Sequence, residues 1–440
     1  MENSPTFIPG HSKAVGDAGT AFIADFEGSK STIDLRQVGN WTVASTPQGQ
    51  TEQSMFPEAA IGTGLRYGFN RAQTAWYIID PLFYEKTGTL RPPNIDNDEL
   101  SSHYTRYIPE NEVFPNIDPP QNNFMNLPVF NVAYYPEERG PYNYDVDGEP
   151  GYSEGIDEEG QLNEPQTRWG GLMRKIESSD FEATNVEYIE FWMMDPFADP
   201  DGEGPKEPIN TQGGKIYFNL GDISEDILRD GRKSFEHGLP TSAENVENVD
   251  TTIWGRVPSV QAMVNEFDNN DASRPFQDVG YDGFRNEDEQ DYFDSVYIQR
   301  LAEMYGPASE AYQKALEDPS NDDYQYFRGS DLDNDPKYSS LLERYKSYNG
   351  PDGNSPTDAM SPEPYSTVAT RNPDVEDINQ DNTLSESERY FQYQINLEPD
   401  KMEVGDNYIS DKYTPPPQQL ANGERRSVTW YQFRDTRPQS

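Results

Sequence analysis

The chain has 440 residues, with 34 Lys and Arg against 79 Asp and Glu, a formal net charge of −45. Such a charge repels nucleic-acid phosphates and anionic lipid headgroups, so no nucleic acid is expected as a partner. Cysteine is absent, which excludes disulfides, thiolate zinc sites and cysteine nucleophiles.

Apolar residues make up only 33% and the mean hydropathy is −0.93, yet there are 28 Tyr, 21 Phe and 6 Trp. Each large ring can remove about 150–250 Å² from water, so the composition predicts a folded protein with long polar loops and not a disordered tail. The acidic excess has two readings, a surface that keeps molecules apart or a demand for divalent cations. No stretch approaches the roughly 18 apolar residues of a membrane helix. The opening Met1-Glu-Asn-Ser-Pro5 is not a signal peptide, so an exported protein would carry this chain as a piece of something longer.

In chain order, short β-type runs come first: Phe22–Phe26, Trp41–Ser45, Ala75–Asp80, Val129–Tyr135, Val186–Met194 and Lys215–Leu220. Ile216, Phe218 and Leu220 alternate, as do Glu187, Ile189, Phe191 and Met193, which predicts sheets with one buried face. Asp222-Ile-Ser-Glu225 has the form of a capping box and predicts a small helix running to Gly231. From 255 to 350 the period changes. Val260, Met263, Val264 and Phe267 fall at helical spacing, as do Phe293, Val296, Tyr297, Leu301, Met304 and Tyr305 before Gly306-Pro307. Ala311, Tyr312, Ala315 and Leu316 mark a second helix. Asp335 can cap a third, with Tyr338, Leu341, Leu342 and Tyr345 turned inward. Two further strands, Tyr390–Leu397 and Val428–Phe433, close the chain. The fold class expected is mainly β with a helical insertion: a jelly-roll-like β-sandwich with long acidic loops. The organisation reads as a tail at 1–19, sandwich strands at 20–254, a helical insertion at 255–350, and a calcium-loop segment with closing strands at 351–440.

The sharpest local signal is the run from Asp377 to Glu388. Asp377, Asn379 and Asp381 stand at its first, third and fifth places, and Glu388 at its twelfth. Thr383 occupies the place where a backbone carbonyl is used, Ser385 that of a water, and Leu384 the apolar anchor. This is the ligand spacing of an EF-hand-type loop, and it predicts Ca2+ on Asp377, Asn379, Asp381, Thr383 and Glu388. Asn382 replaces the usual glycine at the sixth place, where asparagine tolerates the left-handed conformation. Asp331, Asp333 and Asp335, and likewise Asp145, Asp147 and Glu149, repeat only part of the pattern and read as solvated turns.

His11, His103 and His237 are scattered, with no metal or triad spacing. With 79 acids some carboxylate pair will always look suited to glycoside hydrolysis, so no catalytic residue is assigned and no enzyme is expected. Tyr134, Tyr135, Tyr142, Tyr144 and Tyr152 could stack on sugars or a partner protein, or could be core.

Ten blocks in order carry a resemblance. They are Asp25–Gly28, Trp41 with Ala44–Pro47, Ala75–Tyr84, Tyr134–Asn143, Arg168–Gly171, Asn185–Phe197, Asp230–Pro240, Trp254–Pro258, Glu343–Asn349 and Trp430–Phe433. Together with the calcium-type loop they resemble the SprA/Sov family, the outer-membrane translocon of the type IX secretion system of Bacteroidota. The resemblance runs from about 20 to 434. It implies part of a protein-export pore needed for secretion and gliding motility, located at the cell outer membrane. The chain lacks the regular strands of about 10 residues that a barrel wall needs. It is therefore expected to be a soluble region carried by the barrel. The first expectation is a non-catalytic cap or gate at the cell surface, the second a periplasmic insertion. Expected partners are the rest of the translocon barrel, outer-membrane partner and plug proteins, and secreted cargo. A lectin-like or cargo-binding surface module is the alternative of another class.

Overall fold

The computed structural model describes residues 6–8, 11–13, 33–49, 55–85, 90–116, 125–178, 186, 188–199, 213–236, 249–259, 280–348, 363 and 374–436. The strand expected at Phe22–Phe26, the helix at Val260–Phe267, and His237 lie outside these residues.

Small antiparallel sheets dominate. Among the described residues six are two-stranded and one is three-stranded. β1 (Thr42–Val43), β2 (Ala72–Tyr77) and β3 (Asn131–Arg139) come first, then β4 (Leu172–Met173), β5 (Tyr188–Met194) and β6 (Gly214–Asp222). β7 (Val249–Thr251) and β8 (Arg256–Pro258) follow, and β9 (Arg389–Leu397), β10 (Ile409–Tyr413) and β11 (Trp430–Thr436) close the chain. β2 pairs with β3 and β6 with β9, while β11 lies between β10 and β5. Two further short pairs are Thr6–Ile8 with His11–Lys13 and Gln418–Gln419 with Arg425–Arg426.

Alternation along the strands decides which faces meet. Ile216 and Phe218 of β6, with Ile395 and Leu397 of β9, pack onto Phe191 and Met193 of β5 and onto Tyr431 and Phe433 of β11. Phe191 stacks on Phe433 with centroids 5.0 Å apart and tilts onto Phe218 at 5.6 Å. These contacts join the apolar faces of the two sheets.

Helices cluster at 286–346. α1 (Asn286–Phe293) runs through a π-helical turn, Asp294–Ile298, into α2 (Gln299–Tyr305). The wider turn shifts the buried face. Phe293, Tyr297 and Leu301 are inside, but Val296 and Met304, expected inward, are exposed. α3 (Glu310–Glu317) is capped by Ser309, whose Oγ accepts from the Tyr312 amide. Asp335 caps as expected, though over a 3-10 turn at Pro336–Ser339, before α4 (Leu341–Lys346). The helix expected from Asp222 to Gly231 does not form. The Ile227 and Leu228 amides there donate to a distant carboxylate, Glu376, and not to a helical ladder.

The main core is aromatic. Tyr67, Trp76, Tyr142, Tyr144, Trp254 and Phe293 are all buried in it, and Tyr144 stacks on Phe293 at 4.2 Å. A second cluster centres on Tyr345, stacked on Tyr77 at 4.4 Å and on Phe327 at 4.9 Å. Gly255 lets these layers close up: a Cβ there would meet the Asp282 carbonyl oxygen at 1.9 Å, the same oxygen that accepts from the Arg256 amide at 2.7 Å.

Candidate functional site

Three features could carry function: a cleft, the loop from Asp377 to Glu388, and groups of buried carboxylates.

The cleft has a volume of about 3710 Å³ and takes walls from β3, β5, β6 and β9. Aromatic rings line it, among them Trp41, Tyr134, Trp169, Trp192 and Phe391. Val132 is 54% and Phe391 64% exposed, unusual for large apolar side chains on strands. β3 and β5 each stand at the edge of their sheet, and residues of both line the cleft. Of the five tyrosines weighed for stacking, Tyr134 and Tyr135 line this cleft, as does Tyr152. Tyr142 and Tyr144 are core, and the Tyr142 hydroxyl donates to Asp322 Oδ2 at 2.8 Å.

The loop is built largely by its own side chains. Asp377 accepts from the amides of Asp381 and Asn382, both at 3.0 Å, Asn379 Oδ1 from Asp381 at 2.8 Å, and Asp381 Oδ1 from Thr383 at 2.8 Å. Asn382 has φ 62°, the left-handed conformation its place in the pattern predicts, and Leu384 is buried as the anchor. Glu388 goes elsewhere: its Oε2 accepts from the Gln48 amide at 2.6 Å, and β9 follows at once. The structure thus gathers Asp377, Asn379, Asp381 and the Thr383 amide, and seats Glu388 against residues 47–49. The partial repeats are turns and ion pairs. Asp333 takes Arg344 at 2.8 Å, Asp145 Oδ1 accepts from the Gly148 amide, and Asp147 pairs with Arg300. His103 is buried, with its Nδ1 accepting from Arg106 Nε at 3.1 Å.

Sequence reasoning missed the buried carboxylates. Asp226, Glu236 and Glu376 converge, with a ligand oxygen from each within 4.8 Å of the others. A second group joins Asp282, Glu289 and Asp322, and a third Asp318, Asp322 and Asp323, again within 4.8 Å. Glu376 is held by three amides: Oε1 accepts from Ile227 at 2.7 Å and Leu228 at 2.9 Å, and Oε2 from Glu236 at 3.0 Å. Burial drives the carboxyls upward. Asp226 is pushed up to about 8 by desolvation and then by the Glu376 charge, and Glu376 to about 6 by desolvation. Desolvation, with Glu376 next, lifts Glu236 well above the carboxylate range. Long sequence separation hid the first two groups, while the third lies within residues 318–323; the one available signal was the density of acids in the loops around them.

A family model described as "Motility related/secretion protein", SprA_N, matches residues 296–436. Over that third of the chain the sequence is similar to the SprA family. No curated protein matches it. The SprA segment runs from the π-helical turn to β11 and holds Glu376, the calcium-type loop and the last strands of both packed sheets. The description of that family points to motility and secretion for the matched segment. Among the described residues no helix is long and apolar enough to cross a membrane.

Proposed function

We propose that the chain is a non-catalytic region of an outer-membrane translocon, shaping or gating the mouth of its protein-export pore at the cell surface. The observation that carries this is the aromatic cleft with its two strand edges, in a chain whose 296–436 segment matches a motility and secretion family. An extended polypeptide docks on such an edge through main-chain hydrogen bonds, and rings alongside take its side chains. The remainder of the barrel, plug and outer-membrane partner proteins, and cargo in transit are its partners in this reading. The packed sheets act as a sandwich-like frame that holds the cleft open. A photo-crosslinking residue at Phe391, in cells exporting a reporter, is expected to give a reporter adduct that disappears when export stops. Adducts only with the chain's own parent protein, whether or not cargo moves, would overturn the cleft as a cargo surface.

The loop from Asp377 to Asp381 is proposed to take Ca2+, with Thr383 and Glu388 completing the shell once Glu388 leaves Gln48. The left-handed Asn382 and the buried Leu384 support this. In calorimetric titration, Asp377→Ala and Glu388→Ala are each expected to weaken one class of calcium sites about tenfold. Unchanged isotherms in both variants would remove the metal from this loop.

A further inference from the structure

We infer that Asp226, Glu236 and Glu376 form a second, internal divalent-cation site, chemically suited to Ca2+, that clamps the 224–236 segment to the 374–388 segment. The site stands independently of the cleft and shares no ligand with the loop.

The argument begins with Glu236. It is 1% exposed, and both its carboxylate oxygens are buried with no hydrogen-bond partner. A buried carboxylate left so costs several kcal/mol unless it is neutralised or meets a cation. What it faces is more carboxylates, on the 2%-exposed Asp226 and the fully buried Glu376, with Asp230 beside them. The neighbouring cations are engaged elsewhere. Arg232 reaches Asp230 and Asp250, Lys233 reaches Glu386, and Arg229 donates to the Ala59 carbonyl at 3.1 Å. Among the described residues none of the three acids is in an ion pair.

The donor set is oxygen only, without His or Cys, which selects a hard cation. Calcium accepts 6–8 oxygens and bidentate carboxylates, whereas magnesium keeps several waters that a buried group has little room for. The backbone already holds the frame. Three amides fix Glu376, the Glu376 amide donates back to the Glu236 carbonyl at 3.2 Å, and Glu225 takes the Asn379 and Ser385 amides. The Glu236 carboxylate enters the group without a donor of its own. This explains why the predicted helix at 222–231 gives way: its amides serve Glu376 instead.

The test uses the full chain freed of metal by chelation. Wild type is expected to bind calcium at this site, with Glu236→Gln weakening it about tenfold or more. An Asp377→Ala, Asp381→Ala double variant should retain it, which separates this site from the loop. The melting temperatures should cross over. Glu236→Gln should melt below wild type in millimolar calcium, yet at or above it in EDTA, because the amide removes a repelling charge. An isotherm identical to wild type for Glu236→Gln would overturn the site. So would calcium leaving wild-type melting unchanged while Glu236→Gln raises it, the signature of a shared proton. Should Glu236→Gln fail to fold, wild-type crystals soaked in terbium decide the matter. An anomalous peak between Asp226, Glu236 and Glu376 supports the site, and its absence overturns it.

Discussion

Arg344→Leu is expected to lower stability by about 3–5 kcal/mol, the largest single loss outside the aromatic core. The Arg344 side chain is 0% exposed and its guanidinium serves five acceptors. It donates to the carbonyls of Tyr338, Phe327 and Leu332, to Asp333 Oδ1 at 2.8 Å and to Asn94 Oδ1 at 2.7 Å. Four separate turns therefore converge on one side chain, and leucine would leave the part-buried Asp333 carboxylate and the Phe327 and Tyr338 carbonyls short of a donor. Arg344→Lys should recover only part of the loss, because an ammonium cannot span that fork. Chemical denaturation monitored by near-UV absorption of the Tyr345 cluster checks both variants. A change of less than about 1 kcal/mol in Arg344→Leu would mean that the converging turns hold without it.

The second large effect is with pH. In the group near α1, burial pushes Asp282 and Asp323 up to about 7. Asp318, whose carboxyl is also raised by desolvation, adds to the repulsion on both, while Arg256 favours the charged form of Asp282 and Asn286 donates to Asp323. Unfolded, these acids titrate near 4. Between about pH 4 and pH 7 the folded state thus binds more protons than the unfolded one, so stability falls as pH rises through that window. The contribution is complete below pH 4 and gone above pH 7. In chelator, Asp323→Asn is expected to flatten the slope and to gain on the order of 2 kcal/mol at pH 8. Parallel curves for wild type and variant would show that Asp323 keeps its charge when folded.

The strands with clean alternation were legible in sequence. β6 and β9 lie within two residues of their predicted ends, because apolar residues two apart can only face one layer. β5 is also found where expected, at Tyr188–Met194. Some residues of the motif blocks that carry the family resemblance are core: Trp76, Trp254, Tyr345 and Trp430 are each buried. Local pattern failed where a distant group intervened. The capping box at Asp222 was overruled by Glu376, and the inward positions of Val296 and Met304 by a π-helical turn that no residue type announces. In the calcium-type loop the turn itself is local, with contacts within five residues, whereas the seat of Glu388 depends on Gln48, 340 positions away. Which acids would converge was not legible at all, since Asp226 and Glu376 meet only through tertiary structure.

That long reach has a kinetic meaning. Gln48 is tied to Glu388, Ser101 to Asn422, and Glu112 to Trp430 Nε1 at 3.4 Å, so the earliest segments are sealed by the latest. A polypeptide threaded through a narrow opening with its N-terminus leading would have to wait, half assembled, until those final residues arrived, and closure of so many distant loops is slow. A nascent chain stopped before Glu388 would have none of these three ties, and one stopped before Trp430 would lack the tie to Glu112.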